Sequence, residues 1–355
     1  MKLNNKKLEK VAEKFAKLMI KRISEISGDW QKPWLPVKRK DYLPRNITGR
    51  YYSGGNTFML LLHSLMYDFS TPIFLTFLQA DKMGIRITKG SHSFPVYHIA
   101  YMYYNPQTHE RISKEKFEKI EVQSIKDQYY LIPTPKCYDV FNLDQTNYKD
   151  KYPEEWETML SRHQILPDII HTQMYENDLL DSVITEQQWV CPIETRFSNR
   201  AYYTPGQDRI VLPLKEQFHS GESYYGTAMH EMIHSTGHET RLKRLKRNQS
   251  DDDYAKEELV AELSSALMGF YMGMETTLRD DHATYLKGWL EALNGKPAFL
   301  MDVLADVVQA VKFMCTHLGY NPFETEPMPS DNSNRPQVIQ LVSNTVLTDE
   351  LTIID

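Results

Sequence analysis

Residues 229–238 read Met-His-Glu-Met-Ile-His-Ser-Thr-Gly-His, and this stretch constrains the chain more than any other. On an α-helix, positions four apart stand on one face. His230 and His234 then aim one nitrogen each at a single ion. Glu231, beside the first of them, reaches a water on that ion without binding the metal itself. The spacing therefore predicts a helix here, starting near Ser223. Two questions follow: where a third metal ligand comes from, and what the first third of the chain adds.

A catalytic zinc site takes three protein ligands and keeps one position open. The pattern H-E-x-x-H-x-x-G-x-x-H fits at Gly237 but fails at the ligand, because residue 240 is Thr240. His238 follows His234 by four residues, yet three ligands on one straight helix do not converge, so His238 is expected behind the ligands or against substrate. A helix expected over about 254–272 offers Leu259, Leu263, Ala266 and Leu267 for packing, with Glu258 and Glu262 on one face. Carboxylates so near a packing face are costly unless paired or metal-bound. One of them is expected to ligate and the other to hold the free N–H of a ligating imidazole. Glu258 is assigned as the ligand and Glu262 as the group behind it, with the reverse order left open, and Glu257 is expected to face solvent. Zinc in such a site acidifies a water and polarises a carbonyl, and Glu231 passes the proton to a leaving amine. The expected reaction is peptide-bond hydrolysis on a protein substrate, with Tyr224, Tyr225 or His238 steadying the oxyanion.

At 355 residues, with 41% hydrophobic and 25% charged side chains, the chain suits two globular domains. No apolar run approaches a membrane span, and no secretory signal is read at the N-terminus. Cys137, Cys191 and Cys315 form no C-x-x-C pair, which fits a reducing cytoplasm. The net charge of −6 hides an asymmetry: residues 1–130 hold 22 Lys and Arg against 12 Asp and Glu. A basic front on an acidic back points to different partners for the two parts.

In chain order, Leu8, Val11, Phe15, Met19, Ile23 and Ile26 recur at helical spacing over 3–27, with lysines between. Trp30 and Trp34 flank a proline-interrupted segment, and a Gly-, Arg- and Tyr-rich loop covers 44–56. Short helices are expected at 57–67 and 73–83, and strands over 84–104 about a Lys89-Gly90-Ser91 turn. A charged, exposed insertion is expected at 110–127, and strands at 129–132 and 138–141. The boundary falls in the polar stretch 147–153, giving domains 1–148 and 149–355. Residues 154–185 read as helical. A hairpin turning at Pro205-Gly206-Gln207-Asp208 precedes the motif helix. The basic run 241–247 reads as a solvated face or an extension of a nucleic-acid track. Helices at 281–293 and 302–318 follow, the latter with a Val303, Leu304, Val307, Val311, Met314 stripe, and a short strand-like run stands at 338–342.

His230-Glu-Met-Ile-His-Ser-Thr-Gly-His-Glu-Thr-Arg-Leu242, with Tyr202-Tyr203 before it and Glu257-Glu-Leu-Val-Ala-Glu262 after it, resembles the zincin-like domain of ArdC-type antirestriction proteins. Trp30-Gln-Lys-Pro-Trp34, Pro44-Arg-Asn46, Gly49-Arg-x-Tyr-x-Gly-x-Asn56, Thr76-Phe-x-Gln-Ala80, Lys89-Gly90 and Val140-Phe-Asn-x-Asp-Gln145 are similar to that family's N-terminal domain. The likeness runs over about residues 8–320. It implies an α+β protein of two domains: a mixed α/β front that binds single-stranded DNA, and a mostly helical zincin-like back with a small antiparallel sheet. It also implies Zn²⁺, a mobile-element setting and an antirestriction role, with no membrane partner. The charged insertion at about 105–128 is longer than the family's pattern leads one to expect, and the last 35 residues have no counterpart in it. Independently, single-strand binders combine cationic grooves with aromatic platforms. Lys32, Arg45, Arg50 and Lys89 are the candidate phosphate contacts. Trp30, Trp34, Tyr51 and Tyr52 are the candidate stacking groups, and Asn46 is a further candidate DNA contact. A DNA-binding protein with a silent, structural zincin fold is the competing reading.

Overall fold

The computed structural model describes residues 6–28, 33–35, 41–164, 175–245, 250–276 and 286–323. Lys32, Trp30 and the strand-like run at 338–342 lie outside them. Lys6–Gly28 forms α1. Val11, Phe15, Met19, Ile23 and Ile26 are buried, and Lys7, Lys10, Lys14, Lys17 and Lys21 line the outer face, as the 3.6-residue period requires. Burying Phe15, Met19 or Ile23 stabilises by about 1.5–3 kcal/mol each, so α1 is an integral core helix. Arg22 departs from the basic face: it is buried and donates from Nε to the Trp34 carbonyl at 3.2 Å.

The front domain continues through β1 (Arg45–Asn46), α2 (Gly55–Met66), β2 (Ile73–Thr76), α3 (Phe77–Lys82), β3 (Phe94–Tyr104), β4 (Arg111–Ile112), α4 (Lys114–Glu118), α5 (Gln123–Lys126) and β5 (Tyr130–Asn142). Its sheet runs β1-β2-β5-β3-β4, parallel between β1 and β2 and antiparallel elsewhere. The helix expected over 73–83 is instead a strand followed by a helix. Ile73, Phe74 and Leu75 are all buried in the sheet. Thr76 then caps α3 through a reciprocal pair with Gln79, which stops the strand and starts the helix. The strands expected before residue 94 reduce to one isolated bridge, Ile87 to Thr146. The two strand segments expected near 130 and 140 are one continuous strand, paired with β3 from Phe94↔Val140 to Tyr104↔Tyr130. The charged insertion sits at the far end of this ladder as α4 and α5, neither with a buried residue.

The second half comprises α6 (Tyr148–Lys151), α7 (Pro153–Arg162), α8 (Asp178–Thr185), β6 (Ile193–Arg196), β7 (Tyr202–Thr204), β8 (Arg209–Pro213), α9 (Gly221–Thr236), α10 (Asp251–Tyr271), α11 (Leu286–Gly295) and α12 (Ala298–His317). The hairpin β7–β8 turns where expected and is antiparallel. The small sheet is nevertheless mixed, because β6 adds to β8 in parallel, a pairing that local turn signals do not encode. The architecture is α+β, with helices dominating the back.

The two halves share one hydrophobic core. α1 packs on α11 and α12, and α2 on α12. Trp34 and Trp289 are both fully buried, with ring centroids 6.4 Å apart. Trp34 is therefore a core side chain and is withdrawn from the candidate stacking groups. Gly54 at φ 65° opens α2, and a Cβ on Gly55 would lie 3.4 Å from Leu304 of α12, so the small residues let α2 approach α12 closely.

One buried titratable group in this core gives a pH prediction. His63 of α2 stacks on Phe94 with centroids 4.4 Å apart, and burial, with Lys14 nearby, lowers its pKa to about 4. The unfolded chain binds this proton from about pH 6.5 downward and the native chain does not. Stability is thus full above pH 6.5 and falls as pH drops toward 4, by on the order of 3 kcal/mol. Urea midpoints of wild type and His63→Leu should diverge over that window, the variant losing less; parallel curves would show that His63 is not the group responsible.

Candidate metal centre

The motif helix α9 is capped by Ser220, whose hydroxyl accepts from the Ser223 N–H at 3.1 Å. It begins at Gly221, two residues before the expected start, where any Cβ would meet the Tyr175 carbonyl at 2.0 Å. Met229, Met232 and Ile233 are fully buried, so α9 lies deep in the core. Its last carbonyls are satisfied by the segment that follows: Leu242 N–H donates to Thr236 and Leu245 N–H to Gly237, both at 2.9 Å. Arg241 ties this segment to the hairpin turn through Asp208, and donates to the Ser235 carbonyl at 2.7 Å. The described part of the basic run 241–247 is therefore largely turned inward, and neither Arg241 nor Arg244 belongs to an outer cationic face.

α10 packs between α9 and α12 and brings its glutamates to the histidines. Nε2 of His230 and Nε2 of His234 face each other at 3.0 Å. Glu258 completes the cluster, with Oε2 3.4 Å from His230 Nε2 and Oε1 3.6 Å from His234 Nε2. These three residues offer ligand atoms within 4.8 Å of one another. A tetrahedral ion with bonds of about 2.0–2.1 Å separates its ligand atoms by about 3.3 Å; here the two imidazole nitrogens stand 3.0 Å apart, and Glu258 turns one oxygen toward each ring, at 3.4 and 3.6 Å. Two imidazoles and one carboxylate are the donor set of an open catalytic site, so the residues fit a divalent cation.

Each imidazole has a second carboxylate on its far nitrogen. Glu262 Oε1 is 3.6 Å from His230 Nδ1, and Glu257 Oε1 is 3.3 Å from His234 Nδ1. Glu262 thus stands where the residue behind the ligand was expected. Glu257 corrects the expectation of a solvent-facing side chain: it is buried and gripped by Arg244. Leu259, Val260 and Ala261 in succession mark a helix apolar on every side, and that was the available sign that Glu257 would be covered. Nothing in the sequence announces Arg244, whose partner lies across the loop between α9 and α10. Burial by itself lowers the His234 pKa, but Glu258 and Glu257 outweigh it and raise it to about 10. Burial likewise raises the Glu258 pKa, and the two imidazoles reverse the sign and hold it below the ordinary carboxylate range.

Glu231 is buried on the same turn of α9. His238 stands apart from the ligand cluster: α9 has ended, and its Nδ1 pairs with Thr240 Oγ1 at 2.8 Å. Tyr225 is fully buried, and its hydroxyl bonds Asp181 and accepts from Lys215 Nζ at 2.7 Å, so it anchors α8 and leaves the list of oxyanion donors. Tyr224 is also buried, which raises its pKa to about 12.

Residues 9–141 match the family model of the N-terminal domain of anti-restriction factor ArdC, and residues 181–303 match a zincin-like metallopeptidase model. The chain thus carries an ArdC-type N-terminal domain followed by a zincin-like metallopeptidase domain. Crystal structures of the antirestriction ArdC protein from plasmid R388, metal-free and Mn(II)-bound, each superpose with a TM-score of 0.60. They are 25% and 26% identical to this chain and cover 86% of it, and the match takes in 98% and 97% of those chains. Two Escherichia coli DNA primases, both TraC, are 28% and 30% identical over 310 and 306 residues. The chain spans only 27% and 19% of those primases.

In the ArdC-like N-terminal domain, Arg45, Asn46, Arg50, Tyr51 and Tyr52 share one tight turn: Asn46 N–H donates to Arg50 at 2.7 Å, and Arg45 bridges Tyr51. Arg50 is exposed, whereas Arg45 is half-buried and bonds His163 Nε2 at 2.9 Å. The Tyr51 ring lies 5.5 Å from that of Phe323. Asn46 and Gln79 pair through their amides, and with Tyr52 they line a cleft of about 640 Å³ beside Phe77, Leu78 and Tyr138. Phe77 and Leu78 are 62% and 71% exposed, unusual for such side chains, and the sequence reading had not selected them. Lys89 is exposed on a separate turn before β3. Among the described residues no helix is long and apolar enough to cross a membrane.

Proposed function

We propose that the chain is a DNA-tethered zinc metallopeptidase with an antirestriction role on a mobile element: residues 1–148 hold single-stranded DNA, and residues 149–355 cleave a protein brought to it. The observation that carries the reading is the His230, His234, Glu258 cluster, with ligand atoms within 4.8 Å of one another and Glu231 on the same turn as His230. A purely structural metal site has no use for a general base beside its ligands. His230, His234 and Glu258 hold the cation. Glu262 and Glu257 orient the two rings from behind. When bound, the cation supplies Lewis acidity that acidifies water and polarises a peptide carbonyl. Glu231 accepts the water's proton and delivers it to the leaving amine. A His₂Glu donor set favours Zn²⁺ among divalent ions. The Mn(II)-bound relative makes manganese the competitor to test.

On this reading DNA runs along the turn 45–52 and the adjoining cleft, with Arg50 toward phosphate and Phe77 and Tyr138 as the stacking platforms. Anisotropy of a labelled oligo-dT with the full chain should give an affinity that falls with salt, log K declining by about 0.7 per phosphate contact for each unit of log salt. Phe77→Ala should cost about 1–3 kcal/mol of binding. No binding at low salt would remove the DNA half of the reading and leave the metal site untouched.

The shared core supports a second reading, in which the zincin fold serves the DNA-binding half as a scaffold and performs no cleavage. α11 and α12 are needed to bury α1 and Trp34 whatever the metal does. Protein cleavage assayed with and without single-stranded DNA, for wild type and Glu231→Gln, separates the two: activity confined to wild type supports the peptidase, and identical traces support the scaffold.

A further inference from the structure

Glu257 and Glu258 are neighbours on α10, both buried beside the imidazoles of α9, and only one of them joins the ligand cluster. We propose that Arg244 makes this choice: it holds Glu257 as the acceptor for His234 Nδ1 and so leaves Glu258 as the metal ligand. The inference rests on reading the cluster as a metal site.

Arg244 grips both oxygens of Glu257, with Nε 3.1 Å from Oε2 and Nη2 2.9 Å from Oε1. Such a two-pronged contact fixes the plane of the carboxylate as well as its charge. The same guanidinium donates to the Ile233 carbonyl and to Thr236 Oγ1, each at 2.9 Å, so α9 itself sets its position. Its side chain is 6% exposed. His234 thus lies between two carboxylates, Glu257 at Nδ1 and Glu258 at Nε2. Once such a ring gives up one proton to make room for a cation, either nitrogen can be the one that keeps the lone pair. Arg244 breaks the equivalence. With its charge balanced, Glu257 is a poor competitor for a cation and a good acceptor for Nδ1–H. Nε2 then keeps the lone pair, directed to the point shared with His230 Nε2 3.0 Å away. Without the guanidinium, an anionic Glu257 would be buried one imidazole's width from a divalent ion, with every reason to turn toward it. A lysine cannot substitute fully, because one ammonium cannot span both oxygens and the helix carbonyl. Arg244 and Glu257 are positioning residues that act through His234.

The test is titration of the chelator-stripped full chain with Zn²⁺ and Co²⁺, for wild type, Arg244→Met, Glu257→Gln and the double variant. Arg244→Met should bind Zn²⁺ about 10–100-fold more weakly. Its Co²⁺ visible bands should weaken and shift as a further carboxylate joins the ion. Glu257→Gln keeps an acceptor for Nδ1–H and should lose far less. The double variant should recover most of the affinity lost in Arg244→Met and a wild-type-like Co²⁺ spectrum, since no misplaced charge remains. Losses that simply add in the double variant, or an unchanged Co²⁺ spectrum in Arg244→Met, would overturn the proposal and make Arg244 a helix-packing contact. If Arg244→Met does not fold, Arg244→Lys carries the test, with a smaller spectral change expected and an unchanged spectrum counting against. A wild-type chain that binds neither ion overturns the metal reading itself.

Discussion

Glu258→Ala should strip the metal from the full chain, while Glu231→Gln should retain it. Among the described residues Glu258 is the one carboxylate grouped with His230 and His234: its oxygens lie 3.4 and 3.6 Å from the two facing imidazole nitrogens. Removing a ligand in contact with the ion should weaken binding by more than the roughly 10–100-fold that loss of a hydrogen-bonded partner costs. The vacated space cannot be filled from Glu262, which faces the opposite nitrogen of His230 at 3.6 Å. Metal content after dialysis, measured by elemental analysis, decides the point. Full occupancy in Glu258→Ala would transfer the ligand role to another group and reopen the assignment between Glu258 and Glu262.

The second large effect is on turnover. Glu231→Gln preserves the size and hydrogen-bonding capacity of a buried side chain but cannot carry a proton between water and a leaving amine. Loss of a positioned general base typically costs 10²–10⁴-fold. The variant should therefore load metal like wild type and lose peptidase turnover by about that factor, with the affinity for single-stranded DNA unchanged. Cleavage rates measured at equal metal occupancy test this. A variant that loses metal along with activity would show that Glu231 supports the site's structure instead of serving its chemistry.

The metal cluster was largely legible before any fold was known, because its first two ligands obey a local rule. Four-residue spacing on a helix sets His230 and His234 on one face wherever the helix lies. The cost of burying carboxylates narrowed the partner to the Glu258–Glu262 face of the next helix. Proximity in sequence does not report where a helix ends or which hydroxyl is already engaged, so it cannot show that His238 stands apart from the ligand cluster or that the Tyr225 hydroxyl is taken by Lys215. Trp34 was read as a possible stacking group, since nothing in Trp30-Gln-Lys-Pro-Trp34 reveals that Trp289, some 250 residues away, would cover it. The 73–83 segment failed for a related reason. Ile73–Leu75 is apolar without a distinguishing period, and only pairing with β5 makes it a strand.

By itself, then, the sequence determined the helix-borne pair of histidines, the glutamate beside them and the glutamate helix that faces them, which follow from periodicity and from the cost of unpaired charge; the α+β class came with the family resemblance. Tertiary structure alone decided three things. It made one core of both halves, so that α1 is buried by α11 and α12. It raised an exposed Phe77-Leu78 pair beside Asn46, Tyr52 and Tyr138 from distant segments. And it turned Arg244 inward to Glu257, which no local pattern encodes, because the contact exists only once α9 and α10 pack and water is excluded from between them.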